Sequence, residues 1–455
     1  QLRRPTTKGI KMILGINQNS SKEIIPVPSP LSSKTYKRGN CKVLGVGVLK
    51  HCIAAGVVAR ELISKVIPSY VSQWIGTDIL SVFPFIVSCH DIGKISTGFQ
   101  YMIRDVTTVT PSDPSYPIDL KYGTIRHEVV SYQFLRTKMS EFFSQMILYH
   151  HGYYRQGDKV TDYSYETDPV WEMERMNLYF RLSSYFNLDS SKCALSSTST
   201  IKKYLAGLMV VSDYISSDER FFPPSGYTLS SISRRASSAL GFYGFYNKGS
   251  DSISREQNFQ DLFSFPPNEV QSEFISLVRG PGVYIYEDQM GGGKTEGALY
   301  PAMKLYQEGI VDGIYFGMPT QVTSNRIIVR VKEALDRLLG TDSDVRLLHS
   351  NADVLHDPRQ DDWFRGNKKA LLDEFGVGTV DQLLLGVLPN VKHFFLRTFG
   401  LCRKAVIIDE VHSYDLYTSG LIKVLIKELV EMDCVVIILS ATLTEAAKRE
   451  LLDVN

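Results

Sequence analysis

No stretch of the chain reaches 18 uninterrupted apolar residues, so no membrane span is expected. The first apolar run is short and lacks a cleavage site, which is unlike a signal peptide. Cysteine is sparse: six residues, at positions 41, 52, 89, 193, 402 and 434, with no Cys-x-x-Cys spacing. Several lie in apolar runs, such as Cys89 in FPFIVSCH and Cys434 in CVVIILS. That usage fits buried, reduced thiols in a cytoplasmic protein and argues against a disulfide framework or a zinc ribbon. An excess of one charge is missing as well. Lys plus Arg is 50 and Asp plus Glu is 49, so any nucleic acid must be held by local patches. Residues 1–50 carry ten Lys/Arg against the single acid Glu23, and residues 1–40 are read as a basic segment, either a solvated tail or a nucleic-acid arm. What is present is ordinary for a folded protein: 455 residues, 44% hydrophobic and 22% charged, enough for two to four domains.

The chain changes character near residue 223. Before it, HCIAAGVVARELISKVI (51–67) places Ile53, Ala54, Val57, Val58, Leu62 and Ile63 on one broad stripe at helical period. DILSVFPFIVSCHDIGKIS, EVVSYQFLRTKMSEFFSQMILYHH and IKKYLAGLMVVSDYIS follow the same habit, so residues 41–222 are read as a helical unit. Residues 223–265, rich in Ser, Gly, Pro and aromatics, read as a linker with room for one short helix. From 266 to 455, the strand candidates GVYIYED, GIYFGMP, KAVIIDE and VVIILSA alternate with helical patterns, which implies a parallel sheet covered on both faces.

In the second half, Tyr284-Ile285-Tyr286-Glu287 runs into Asp288-Gln289-Met290-Gly291-Gly292-Gly293-Lys294-Thr295 and then a helical pattern. Glycines let backbone N–H groups converge on phosphate oxygens, and a helix N-terminus adds partial positive charge. Lys294 is then expected to reach the terminal phosphates and Thr295 to ligate magnesium. The strict pattern has glycine where this chain has Asp288. Further on, Ala405-Val406-Ile407-Ile408 ends in Asp409 and Glu410. Asp409 suits a magnesium ligand and Glu410 suits polarisation of an attacking water. Ser440-Ala441-Thr442 closes another apolar run. These blocks resemble motifs I, II (DEVH, with His412) and III of superfamily 2 helicases. On that resemblance Gln271 reads adenine, although a surface helix position suits it equally. GMPTQVTSNRI, with Thr320, and VGTVDQLLLGVLP, with Thr379, Asp381 and Gln382 exposed at its turn, resemble strand-contacting blocks.

The helical half holds His51, the pair His90-Asp91, Lys94 one turn later, His127, the pair His150-His151, and Asp213 at the end of an apolar helical face. Imidazole and carboxylate suit Mn, Fe, Co or Ni with open water positions, whereas closed structural zinc favours Cys. Phosphodiester hydrolysis needs such a metal to make hydroxide and to neutralise transition-state charge. The constellation resembles the HD phosphohydrolase superfamily. That resemblance implies one metal on His51, His90, Asp91 and Asp213, and a second on His127, His150 and His151 with Asp91 bridging. It also implies that Lys94 stabilises phosphate charge. His349, His356 and His393 have no partner pattern and are read as structural.

An HD unit ahead of a superfamily 2 motor resembles the helicase–nuclease family of type I CRISPR interference. GTVDQLLLGVLPNVKHFFLRTFGLCRKAVIIDEVHSYD, CHDIGK and SDYISSDERFFP carry the likeness. It implies a multidomain protein: an N-terminal all-α HD bundle, then an α/β RecA-like lobe. It also implies a metal-dependent single-stranded DNA nuclease coupled to an ATP- and magnesium-dependent helicase. The partners it implies are single-stranded DNA, a guide-RNA surveillance complex carrying an R-loop, and phage-encoded inhibitor proteins, with no membrane. The chain stops at Asn455, shortly after the third motif, so a second RecA-like lobe is expected to be absent from these residues. By themselves they are expected to bind ATP–magnesium but turn it over slowly, because the second lobe's arginine is worth on the order of 10³–10⁵ in rate. Two other readings stay open: an HD phosphohydrolase for small nucleotides, and a catalytically idle nucleotide-binding module that recruits a partner.

Overall fold

The computed structural model describes residues 31–38, 41–67, 69–105, 125–152, 168–245, 257–340, 345–348, 370–388, 391, 394–411 and 414–453. His349, His356, His393 and His412 lie outside them. The first half is a helical bundle. Its central helix, Val48–Lys65, is buried along most of its length and packs between the helices Thr77–Ser88 and Ser199–Ser216. Buried Val57, Val58 and Leu62 of that helix meet Phe83, Ile86, Leu205 and Leu208 in one continuous core. The long EVVSYQF…YHH pattern is two helices, His127–Leu135 and Glu141–Leu148, because the chain turns at residues 136–140 and Ser140 opens the second.

Two parts of the chain are more ordered than their composition suggests. Within the basic segment 1–40, Leu31, Ser32 and Ser33 are buried, and Thr35–Arg38 (β1) pairs antiparallel with Cys41–Leu44 (β2). The stretch 223–265 read as a linker carries the helix Ile232–Phe242, whose Ile232, Ala236, Ala239 and Leu240 are buried in the bundle core. Hydrophobic positions at i, i+4, i+7 and i+8 explain that burial. The Ser-rich outer face hides the stripe from a composition argument.

The second half is a six-stranded, all-parallel sheet. Besides the four expected strands, Gly282–Glu287 (β3), Gly313–Met318 (β4), Lys404–Ile408 (β7) and Val435–Ser440 (β8), it contains Val345–Leu348 (β5) and Phe375–Thr379 (β6). The order is β3-β8-β7-β4-β6-β5. Alternate residues feed opposite faces: Ala405 and Ile407 with Val435, Ile437 and Leu439 on one, Val406 and Ile408 with Val436 and Ile438 on the other. Both faces are apolar because helices cover both. The parallel arrangement brings the C-terminal ends of β3 and β7 to one edge, where ligands of open α/β sheets bind. Among the described residues no single helix is long and apolar enough to cross a membrane.

Candidate functional site

The helix Thr77–Ser88 ends just before His90-Asp91, and Ile92–Lys94 form a single 3-10 turn. This turn presents Asp91 at the centre of the bundle, 1% exposed. Its two oxygens face different partners. Oδ2 lies 2.9 Å from His51 Nε2 and 3.2 Å from His90 Nε2, while Oδ1 lies 3.3 Å from His127 Nε2 and 3.7 Å from His150 Nε2. Asp213 Oδ1 approaches His51 and His90 Nε2 at 3.3 Å each. Two sets result, His51/His90/Asp91/Asp213 and Asp91/His127/His150/His151, and within each set the donor atoms lie within 4.8 Å of one another. All seven metal-ligand residues expected from the sequence are therefore brought together, with Asp91 common to both sets.

The imidazoles are oriented from behind. His90 Nδ1 donates to the Val87 carbonyl at 2.8 Å, and His150 Nδ1 donates to the Ile147 carbonyl at 2.6 Å, which aims each Nε2 inward. Four inward-facing buried atoms, His51 Nε2, His90 Nε2, Asp91 Oδ1 and His150 Nε2, have no hydrogen-bond partner despite these short approaches, while Asp91 Oδ2 is also met by the Lys94 ammonium. They point at shared centres rather than along one another's bonds. His151 Nε2 and His127 Nε2 face each other at 2.8 Å. Buried polar atoms without partners are costly, and a divalent cation satisfies a convergent set of nitrogens and carboxylate oxygens. The residues present fit such an ion.

The electrostatics agree. Burial works against charge on His90, but Asp91 and Asp213 outweigh it and push its pKa up to about 10. Burial would raise the Asp91 and Asp213 carboxyls, yet His90 and its neighbours hold both well below the usual range. Burial, then His150 and His127, push His151 down to about 2, and burial lowers His127. The site thus has ionised carboxylates beside neutral His127 and His151, while His90 is held protonated by Asp91 and Asp213 and would give up that proton to a bound cation. Lys94 Nζ sits 2.5 Å from Asp91 Oδ2; burial opposes its charge, and Asp91 and Asp213 more than restore it.

At the sheet edge, β3 leads into the loop 288–293 and the helix Lys294–Gln307. Gly293 caps that helix with φ +81°, a left-handed conformation that side chains other than glycine's rarely adopt. A cleft of about 560 Å³ is lined by Gly291, Gly292, Gly293, Lys294 and Thr295 on one side and by Asp409 and Glu410 on the other. Lys294 Nζ folds back onto the carbonyls of Asp288 at 2.5 Å and Gln289 at 2.9 Å. The Asp288 carboxylate lies against Gly292, where a Cβ would meet Oδ2 at 2.2 Å, and accepts from the Gln289 N–H at 2.7 Å.

Three sequence-based expectations change at this site. Gln271 is not a surface residue but buried. Its Oε1 accepts from the Asn268 N–H at 2.9 Å and its Nε2 donates to the Gly293 carbonyl at 2.8 Å, so it caps its own helix and braces the phosphate loop. Thr379 is buried, not exposed, because it is the last residue of β6 inside the sheet. Gln382 is half-buried, and its carbonyl and Oε1 both accept from Arg397; of the three, Asp381 alone is exposed as read, and Thr320 is exposed as well. The sequence reading passes over Gln100 and Ser131, which are buried beside the His90–Lys94 turn. Ser131 was legible from its place four residues after His127, on the same helix face.

A buried His/Asp cluster of this kind, in one chain with a phosphate-loop cleft on a parallel sheet, defines an HD-type helical unit followed by a RecA-like α/β lobe. Residues 33–222 match the family described as Cas3, HD domain. The chain is 30% identical over 417 residues to the CRISPR-associated endonuclease/helicase Cas3 of Thermus thermophilus, covering 81% of this chain and 44% of that one. It is 29% identical over 430 residues to the CRISPR-associated nuclease/helicase Cas3 of Streptococcus thermophilus, covering 81% and 46%. A crystal structure of T. fusca Cas3 superposes with a TM-score of 0.75 at 24% identity, over 94% of this chain and 52% of that one, and shows the same fold. Residues 33–222 thus carry a Cas3 HD domain, and most of the chain is similar to Cas3 enzymes that join an HD domain to a helicase fold. It spans about half the length of these curated relatives.

Proposed function

We propose that the helical half is a metal-dependent nuclease for single-stranded DNA, and that the sheet half is part of an ATP-dependent superfamily 2 motor serving it. The setting is type I CRISPR interference in the cytoplasm. The observation that carries this reading is Asp91, whose two oxygens each face a separate set of imidazoles.

The site would hold one or two transition-metal ions (Mn, Fe, Co or Ni), through His51, His90, Asp91 and Asp213 and through Asp91, His127, His150 and His151. When bound, such an ion supplies a water acidic enough to yield hydroxide near neutral pH and neutralises phosphate charge. Asp91 fixes the spacing of the two positions. The neutral His127 and His151 offer lone pairs. Lys94, kept charged by Asp91 and Asp213, places a cation where a phosphodiester would sit. The ligands lie deep between helices, an arrangement that a flexible single strand can enter more readily than a stiff duplex.

In the second cleft, Gly291, Gly292, Gly293 and Lys294 would cradle ATP phosphates, with Gln271 bracing the loop. Thr295 and Asp409 would hold magnesium, and Glu410 would polarise water. The similarity to Cas3 nuclease/helicases, one of them solved with an RNA-guided surveillance complex, supports single-stranded DNA exposed in an R-loop as the substrate and that complex as a partner; phage-encoded inhibitors rest on the sequence resemblance alone.

The test is degradation of a circular single-stranded DNA with added manganese. The parent protein cuts it and cuts blunt duplex poorly. Asp91→Ala abolishes cutting while the circular dichroism spectrum is unchanged, and chelation does the same reversibly. Cutting by the Asp91→Ala protein at the parent rate would sink the assignment. Faster turnover of nucleoside phosphates than of either DNA would move the reading to a small-nucleotide phosphohydrolase.

A further inference from the structure

Ser131 is fully buried, one helical turn after His127 on the helix His127–Leu135. Its hydroxyl makes two hydrogen bonds to a single short turn. It donates to the His90 carbonyl at 2.8 Å and accepts from the Gly93 N–H at 2.9 Å. The turn between those groups carries Asp91. Gly93 itself touches the same helix without room for a side chain: a Cβ there would meet the His127 carbonyl oxygen at 2.0 Å and the Ser131 nitrogen at 2.5 Å. One hydroxyl therefore pins the turn that bears His90 and Asp91 to the helix that bears His127.

We propose that Ser131 is a positioning residue that sets the separation of the two donor sets and so governs filling of the second, Asp91/His127/His150/His151. The inference rests on the metal-site reading above. The first set is held from other directions: His51 stands on the central helix Val48–Lys65 and Asp213 on Ser199–Ser216, while His90 is anchored through Val87. The second set shares Asp91 across the gap that Ser131 spans. Loss of the hydroxyl frees the turn to drift relative to His127, which weakens the second position and leaves the first nearly intact.

The experiment is titration of the chelator-stripped 455-residue chain with manganese, followed by electron paramagnetic resonance of the free ion. The parent is expected to bind two manganese ions. In Ser131→Ala the first is expected to bind within about threefold of the parent and the second about 10–100-fold more weakly, the usual range for a lost outer partner of a metal ligand. Ser131→Cys fills the space with a slightly larger, weakly hydrogen-bonding sulfur, and the same selective loss is expected, so the question stays decidable if the alanine variant does not fold. A merely structural role would lower the melting temperature of the metal-free protein without changing the ratio of the two affinities. A parent that binds a single manganese, or serine variants whose affinity ratio matches the parent's, overturns the proposal. Asp91→Asn is the separate control: if it binds manganese as the parent does, the metal-site reading itself fails, whereas loss there with normal serine variants defeats only the role of Ser131.

Discussion

Single side chains in this protein act mainly through where their charges are held. Lys294 shows this at the phosphate loop, where its ammonium rests on the carbonyls of Asp288 and Gln289 at the cleft wall. A nucleotide phosphate would draw it away from those oxygens. Lys294→Ala should therefore weaken ATP–magnesium binding by at least about tenfold, the loss of one charge-assisted contact, while cleavage of single strands stays at the parent rate. Fluorescent-nucleotide titration beside the nuclease assay checks both halves, and a parallel fall in the two would show that the sites are not separate. Part of the His/Asp set stands out in the sequence, because adjacent His-Asp and His-His pairs just past apolar helical runs carry their chemistry in residue type; the full set is what the resemblance to HD phosphohydrolases implies, and the structure brings its members together. Gln271 and Thr379 were not fully legible, since a polar residue's burial depends on what its neighbours in space offer it. Gln271 found a backbone N–H and a carbonyl, and Thr379 found the interior of a sheet.

At the level of elements, local signals worked where periodicity was clean. The stripe in residues 51–67 became the buried central helix, and four of the six strands of the sheet were expected from apolar runs. β5 and β6 lack that signal for different reasons: β5 is only four residues long, and β6 reads FGVGT, with glycines where a strand usually shows β-branched residues. The helix Pro169–Tyr185 also goes unread by periodicity, because its buried stripe Trp171, Arg175, Leu178 and Leu182 contains a charge. Arg175 is nonetheless at home there, donating to the Ile95 carbonyl at 2.8 Å just past the Asp91 turn. Its start was signalled by Asp168-Pro169: the Asp168 carboxylate accepts from the Val170 N–H at 2.9 Å. Asp168→Ala should lower the stability of the helical half by about 1 kcal/mol. Chemical denaturation followed at the helical signal would show it, and an unchanged midpoint would mean that tertiary packing alone holds that end.

Across the whole molecule the two halves share a surface. The helix Ser199–Ser216, whose far end carries Asp213, lies against Phe394–Leu401, the helix that leads into β7 and Asp409. Phe394, Phe395 and Leu396 belong to the bundle core although the strand after them belongs to the sheet. Lys203 pairs with Glu428 across this surface, and Tyr204 meets Phe399 with ring centroids 5.0 Å apart. Gly207 makes the approach possible, because a Cβ there would sit 2.5 Å from Phe399 Cβ and 2.6 Å from the Phe395 carbonyl. Gly207→Ala should therefore cost about 1–3 kcal/mol through forced separation of the helices, read as a lower melting temperature. A melt unchanged from the parent would show that the helices can slide apart freely. For DNA, the near-zero net charge makes local phosphate contacts the source of affinity, so the logarithm of the single-strand binding constant should fall linearly with that of salt concentration, with a slope of about −0.7 per phosphate engaged. A flat dependence would count against a phosphate-contacting channel.

The sequence by itself set out the candidate site residues and the order of the two halves. The residue types of the HD set and the phosphate loop, their order along the chain, and the change from helical to alternating pattern near residue 223 all follow from local composition and spacing. The tertiary structure decided which oxygen of Asp91 faces which donor set, that Ser131 joins its turn to the helix of His127, and that Gly207 lets the halves touch. These depend on distances between residues 36 to about 190 positions apart in sequence (His127 from Asp91, Phe395 from Gly207), which no local pattern encodes and only packing of the bundle and sheet brings within bonding range.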